Sequence, residues 1–139
     1  QNNLEFLLEI ITSRDYKKND EDILKVIDRL YRIGIRPDWW KLEPLKEKEN
    51  WLKLDKLIVE WDQFCRGILL LGLDKPMRQL SRSFKFAQSS KIVKGFAVGR
   101  SIFGKVAEKW FSGKISDSEA TKVISDNFYK LCAIWNKNN

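Results

Sequence analysis

Apolar positions along this chain switch repeatedly between two patterns: short continuous runs, and positions three and four apart. Leu4-Glu5-Phe6-Leu7-Leu8-Glu9-Ile10-Ile11 is a short apolar run bounded by Thr12-Ser13-Arg14-Asp15, and it predicts a buried strand. Asp20-Glu21-Asp22 then places acid in the first turn of a helix, where the free N–H groups favour it. Ile23, Val26, Ile27, Leu30 and Ile33 follow at helical spacing, and Gly34 closes the helix as its cap. Pro37 breaks the chain before a second strand, Asp38-Trp39-Trp40-Lys41-Leu42-Glu43, which Pro44 ends. Asn50 is the expected cap of the next helix, with Leu54, Leu57, Ile58 and Trp61 on one face. The third strand, Arg66 to Gly72, is continuously apolar through Ile68-Leu69-Leu70-Leu71, as a strand covered on both faces must be. Pro76 fits the first turn of a helix running from Met77 to Ser89. Val93-Lys94-Gly95-Phe96-Ala97-Val98 is the fourth strand, and Gly99-Arg100-Ser101 turns it into a helix through Phe103, Val106, Ala107 and Trp110 that ends at Gly113. Ser116-Asp117-Ser118-Glu119 has the form of a capping box for a last helix carrying Ala120, Val123, Ile124, Phe128, Leu131 and Trp135.

Strand and helix alternating four times argue for α/β architecture with parallel strands. Four βα units make half of a (β/α)8 TIM barrel, and the chain's 139 residues fall well short of the about 250 of a whole one. The chain is therefore expected to be a single domain, residues 1–139, forming half of such a barrel. Half a barrel leaves two strand edges open. Three arrangements answer that: completion by an N-terminal half outside this sequence, pairing of two copies as a homo-oligomer, or an open doubly wound sheet. Periodicity does not choose among them.

Composition narrows the chemistry. Hydrophobic residues make up 43% and charged residues 32%, a globular balance. The net charge of +7 comes from scattered lysines and arginines with no basic run, so no nucleic-acid partner is expected. No apolar run reaches the length of a membrane span and no leader pattern is visible, so no membrane partner is expected either. The two cysteines, Cys65 and Cys132, are far apart and fit a reducing, cytoplasmic compartment. There is no histidine. Its absence removes Ser-His and Cys-His nucleophile schemes and most zinc sites, and leaves acid–base work to carboxylates, lysine or tyrosine.

The strongest chemical feature is Lys41 inside a strand. Alternation puts Trp39, Lys41 and Glu43 on one face. An amine desolvated there is a nucleophile suited to imine formation. The plain alternative is an ion pair with Glu43 or Glu9. Glu9, near the end of the preceding strand, is placed to move protons beside Lys41, or simply to neutralise it. Gly99-Arg100-Ser101 offers free N–H groups and a cation at a helix start, which suits phosphate; the plain alternative is a tight turn with an exposed arginine. Gly72 and Asp74, with Lys75, close the third strand on the same side, where Asp74 and Lys75 could orient substrate hydroxyls or phosphate. Asp74 could equally be a helix-start acid. Arg66, at the opposite end of that strand, reads as structural, and Trp39 as packing.

Leu7-Leu8-Glu9-Ile10, Lys41-Leu42-Glu43-Pro44 and Gly95-Phe96-Ala97-Val98-Gly99-Arg100-Ser101 are similar in order and spacing to class I tagatose-bisphosphate aldolases. A closer resemblance is to the aldolase-like domain at the C-terminal end of bacterial 5-dehydro-2-deoxygluconokinase fusion proteins of myo-inositol catabolism. It is carried by Pro37-Asp38-Trp39-Trp40-Lys41-Leu42-Glu43-Pro44, Arg66-Gly67-Ile68-Leu69-Leu70-Leu71-Gly72-Leu73-Asp74 and Val98-Gly99-Arg100-Ser101-Ile102-Phe103. The resemblance implies a Schiff-base aldolase, a carbon–carbon lyase of carbohydrate metabolism that cleaves 6-phospho-5-dehydro-2-deoxygluconate to dihydroxyacetone phosphate and malonate semialdehyde. It implies Lys41 as nucleophile, Glu9 as acid/base with Glu43 beside it, and Gly99 with Arg100 at phosphate. No metal or organic cofactor is required by that chemistry. It also implies a whole aldolase-like barrel, of which residues 1–139 are the C-terminal half and the first four units are absent here. That absence keeps a second reading open, a non-catalytic half-barrel that binds a phosphorylated ligand or serves in assembly. A nucleotide-binding open sheet is a third, but no Walker or Gly-x-Gly-x-x-Gly motif supports it.

Overall fold

The computed structural model describes residues 4–12 and 19–137. Ser13, Arg14 and Asp15, expected to bound the first strand, lie outside the described residues. Among the described residues there are four strands and five helices. They run β1 (Leu7–Ile10), α1 (Asp20–Arg32), β2 (Trp39–Leu42), α2 (Lys48–Trp61), β3 (Gly67–Leu71), α3 (Met77–Ala87), β4 (Val93–Ala97), α4 (Arg100–Phe111) and α5 (Asp117–Lys137). The strands are parallel and form one sheet in the order β1-β2-β3-β4. A doubly wound sheet reverses its strand order at a switch point. This sheet has no reversal, so the fold is a half-barrel-type βα succession and the doubly wound arrangement is set aside.

The helices form where the pattern requires, with local corrections. Asn19 caps α1, and its reciprocal partner is Asp22. Gly34 follows the helix with φ +87°, the left-handed value a closing residue adopts at little cost when it lacks a Cβ. Asn50 does not cap α2. Glu47 holds that position without a side-chain cap bond, and Asn50 sits in the first turn, where its amide donates to Asp20. The physical reason is Asp20, which is 3% exposed and accepts from the backbone N–H groups of Lys46 and Glu47, fixing where the helix starts. Pro76 is the residue before α3 rather than within its first turn. Ser116 and Glu119 form the expected reciprocal bonds at the start of α5.

The core lies between the sheet and its helices. Trp40, Leu42, Ile68 and Leu70 point to that side and pack with Ile23, Ile27 and Tyr31 of α1, Trp51, Leu54 and Ile58 of α2, Leu80 and Phe84 of α3, and Leu131 and Trp135 of α5. The buried Trp40 indole donates to the Tyr31 hydroxyl at 2.8 Å. Burial pushes that hydroxyl's pKa well up, so it stays neutral and able to accept. The opposite face carries Leu7, Glu9, Trp39, Lys41, Leu69, Gly95 and Ala97, all at least partly exposed. The expectation of strands buried on both faces is therefore corrected: among the described residues, the packed core covers one face only. Parallel-strand register then sets the open face in rows, one of which is Glu9, Lys41, Leu69 and Gly95.

Candidate functional site

The carboxyl ends of all four strands meet in one concavity of about 220 Å³. Its lining includes Glu9 from β1, Lys41 from β2, Gly72 and Asp74 after β3, and Gly99, Arg100 and Ser101 at the start of α4. Seven of the eight residues singled out from the sequence thus share one cleft. Strand alternation and register explain why. Glu9 and Lys41 are register partners on neighbouring strands and on the same face, so their side chains meet. Lys41 Nζ lies 3.1 Å from Glu9 Oε1, with the lysine side chain 24% exposed and the glutamate 37%. Of the pairings that the sequence left open, the Lys41–Glu9 pair is the one formed. A carboxylate at that distance holds the amine in place and is within reach of a proton on it.

Glu43 is the exception. The alternation that put it with Lys41 stops at Leu42, where β2 ends. Glu43 is 5% exposed, and its Oε1 accepts from the Thr12 backbone N–H and hydroxyl, both at 2.7 Å. It lines a neighbouring cavity of about 470 Å³, with Lys46, Lys75 and Arg82, rather than the Lys41 cleft. Its visible work is to tie the end of β1 to the end of β2, which holds Glu9 and Lys41 level. The sequence carries no signal for the Thr12 partner.

At the other side of the cleft, Gly99 precedes α4 without any side-chain cap bond. Helix geometry leaves the Arg100 and Ser101 N–H groups without intrahelical partners. The Ser101 hydroxyl oxygen is buried with no hydrogen-bond partner. Arg100 Nη1 is 2.9 Å from Asp74 Oδ2, and both side chains are substantially exposed. Asp74 belongs to a turn in which Lys75 N–H donates to the Gly72 carbonyl at 3.0 Å. Leu73 and Asp74 occupy its centre with φ of +49° and +57°. Two successive left-handed residues form a type I′-like turn, which normally takes Asn or Gly. Leucine there is strained by about 1–2 kcal/mol, and no glycine marks the place in the sequence. Such strain concentrates at functional sites.

Chemically, the cleft offers an amine with a carboxylate beside it, and across from them a guanidinium with unpaired N–H groups. Both cations have acidic partners, so an anionic or carbonyl ligand must share or displace a carboxylate. Trp39 lies further back on the open face, its indole donating to Glu5 Oε2, and Glu5 also pairs with Arg66 at 2.6 Å. Neither Trp39 nor Arg66 lines the cleft. Among the described residues no helix is long and apolar enough to cross a membrane. A family model described as an uncharacterized protein conserved in bacteria (DUF2090) matches residues 1–139. No curated protein matches the chain.

Proposed function

The chain belongs to that bacterial family, and from this premise we propose that the cleft is the active site of a class I aldolase, a Schiff-base carbon–carbon lyase acting on a phosphorylated keto sugar acid. The substrate we propose is 6-phospho-5-dehydro-2-deoxygluconate, and the products are dihydroxyacetone phosphate and malonate semialdehyde. One observation carries the reading: Lys41 Nζ stands 3.1 Å from Glu9 in a cleft that also holds the Gly99-Arg100-Ser101 turn.

In this scheme Glu9 takes a proton from the Lys41 amine, which adds to the C5 ketone, and Glu9 then moves the protons that expel the carbinolamine oxygen as water. The protonated imine draws in the electron pair of the C3–C4 bond. That bond breaks as the C3 hydroxyl loses its proton and becomes the aldehyde of malonate semialdehyde. Protonation of the resulting enamine and hydrolysis of the imine release dihydroxyacetone phosphate and regenerate Lys41. Arg100 and the first N–H groups of α4 hold the phosphate. No metal or organic cofactor enters the scheme.

The test is borohydride reduction in the presence of dihydroxyacetone phosphate, read by intact mass and peptide mapping. The expected result is a stable adduct on Lys41 that disappears in Lys41→Ala. A folded chain that never forms it refutes imine chemistry by this chain alone. One observation favours a second reading, a non-catalytic module that binds a phosphorylated ligand: the face bearing Lys41 is open and the amine is held in an ion pair. That reading expects phosphate binding without any adduct. Covering of the open strand edges by a second copy, or by another half, is part of the same proposal, and native mass tests the first of these.

A further inference from the structure

We propose that Asp74 is a built-in competitor for Arg100, so that the cleft's guanidinium passes to a ligand phosphate only when the Asp74 carboxylate is displaced. The inference rests on the phosphate reading above. Three observations carry it. First, the Asp74 carboxylate already occupies Arg100 at 2.9 Å. A carboxylate on a guanidinium beside a helix start is chemically what a ligand anion would be there. Secondly, the carboxylate is presented to Arg100 by a closed turn, with left-handed φ at Leu73 and Asp74 and a 3.0 Å bond from the Lys75 N–H to the Gly72 carbonyl. Thirdly, Asp74 and Arg100 both line the cleft and also an adjoining cavity of about 620 Å³. The ion pair therefore lies where the linings of the two cavities overlap.

The consequence is an order of events. A free anion must displace Asp74 by itself, and its apparent affinity falls by the fraction of molecules with Arg100 released. A ligand already captured at Lys41 presents its phosphate at a high local concentration and displaces Asp74 readily. The cradle would therefore discriminate in favour of ligands long enough to engage both ends of the cleft, and against small free anions.

The experiment is titration of the full chain with inorganic phosphate at fixed ionic strength, followed by phosphorus NMR or calorimetry, for wild type, Asp74→Asn and Arg100→Gln. Asparagine tolerates the left-handed region, so the turn is retained while the charge is removed. An exposed ion pair is worth up to a factor of about five. Asp74→Asn is thus expected to bind phosphate about two- to fivefold more tightly than wild type, with binding lost in Arg100→Gln. Asp74→Gly, which also suits the turn, should behave like Asp74→Asn and guards against a folding artefact in one variant. Equal or weaker binding by both Asp74 variants overturns the inference and leaves Asp74 a bystander or a ligand. Phosphate binding by none of the proteins, or undiminished binding by Arg100→Gln, overturns the phosphate reading itself.

Discussion

Gly72 is the residue on which the geometry of the cleft depends most sharply. Its φ is not left-handed, so its smallness is a matter of space alone. A Cβ at that position would stand 2.6 Å from Val98 Cγ1, 3.1 Å from Cγ2 and 3.3 Å from the Ser101 hydroxyl oxygen. Ordinary carbon contacts lie near ~3.5–4 Å, so the first overlap is close to an ångström. Val98 cannot swing aside cheaply, because a β-branched side chain is stiff about its first torsion. Gly72→Ala should therefore destabilise the fold by about 1–3 kcal/mol, the range for overpacking. Val98→Ala removes both clashing atoms. Alone it should cost about 1 kcal/mol, since each buried methyl is worth ~0.8 kcal/mol and Val98 is only partly buried. In the double variant the new methyl occupies space that the valine vacated. The two costs should then fall short of additivity by about 1–2 kcal/mol. Urea denaturation of the four proteins measures this cycle. Strict additivity, or a neutral Gly72→Ala, would refute the claim that the end of β3 is pinned against the β4–α4 turn.

Three further outcomes follow from other parts of the molecule. Gly34→Ala should cost about 1–2 kcal/mol through its left-handed φ alone, because nothing lies within 4 Å of the added methyl; no neighbouring truncation should rescue it in the same denaturation assay. Tyr31→Phe leaves the buried Trp40 indole N–H without its acceptor, and denaturation should show a loss of about 1–3 kcal/mol; an unchanged midpoint would mean the bond contributes nothing. The Glu119 carboxyl is held below its ordinary value of 4.5, chiefly by the hydrogen bond it accepts from the Ser116 backbone N–H. A depressed folded-state pKa gives stability that is complete above the unfolded value and lost as pH falls through the folded one. The melting-temperature gap between wild type and Glu119→Gln should accordingly be present at neutral pH and shrink in acid, and a gap independent of pH would show that the carboxylate charge plays no part.

Much of this was legible in the chain. Among the described residues, each strand and helix overlaps a segment whose apolar period called for it, with α2 starting earlier than its expected cap at Asn50, because burial of one helix stripe or one strand run requires that period. Alternation also placed Glu9 and Lys41 at comparable depths on their strands, and a Gly-Arg-Ser string at a strand end is visible without coordinates. Where the reading erred, the reason lies in partners distant in sequence. Glu43 looked like a companion of Lys41 because alternation was carried one residue past the end of β2. Thr12, which donates to it twice, is 31 positions away. Asn50 looked like a cap because capping is read from local composition, whereas Asp20, 30 positions earlier, sets the start of α2.

What the sequence determined by itself was the kind and order of elements and the set of chemically capable residues, since period, caps and breakers act over a few neighbouring positions. What only the tertiary structure decided was who meets whom. Consecutive strand order gathered seven residues from four strand ends into one cleft, and register chose Glu9 as the partner of Lys41. The left-handed turn at Leu73 and Asp74, and the Asp74–Arg100 pair it presents, were also settled there. Local propensity disfavours a leucine in that conformation, so nothing in the neighbouring residues announced the turn.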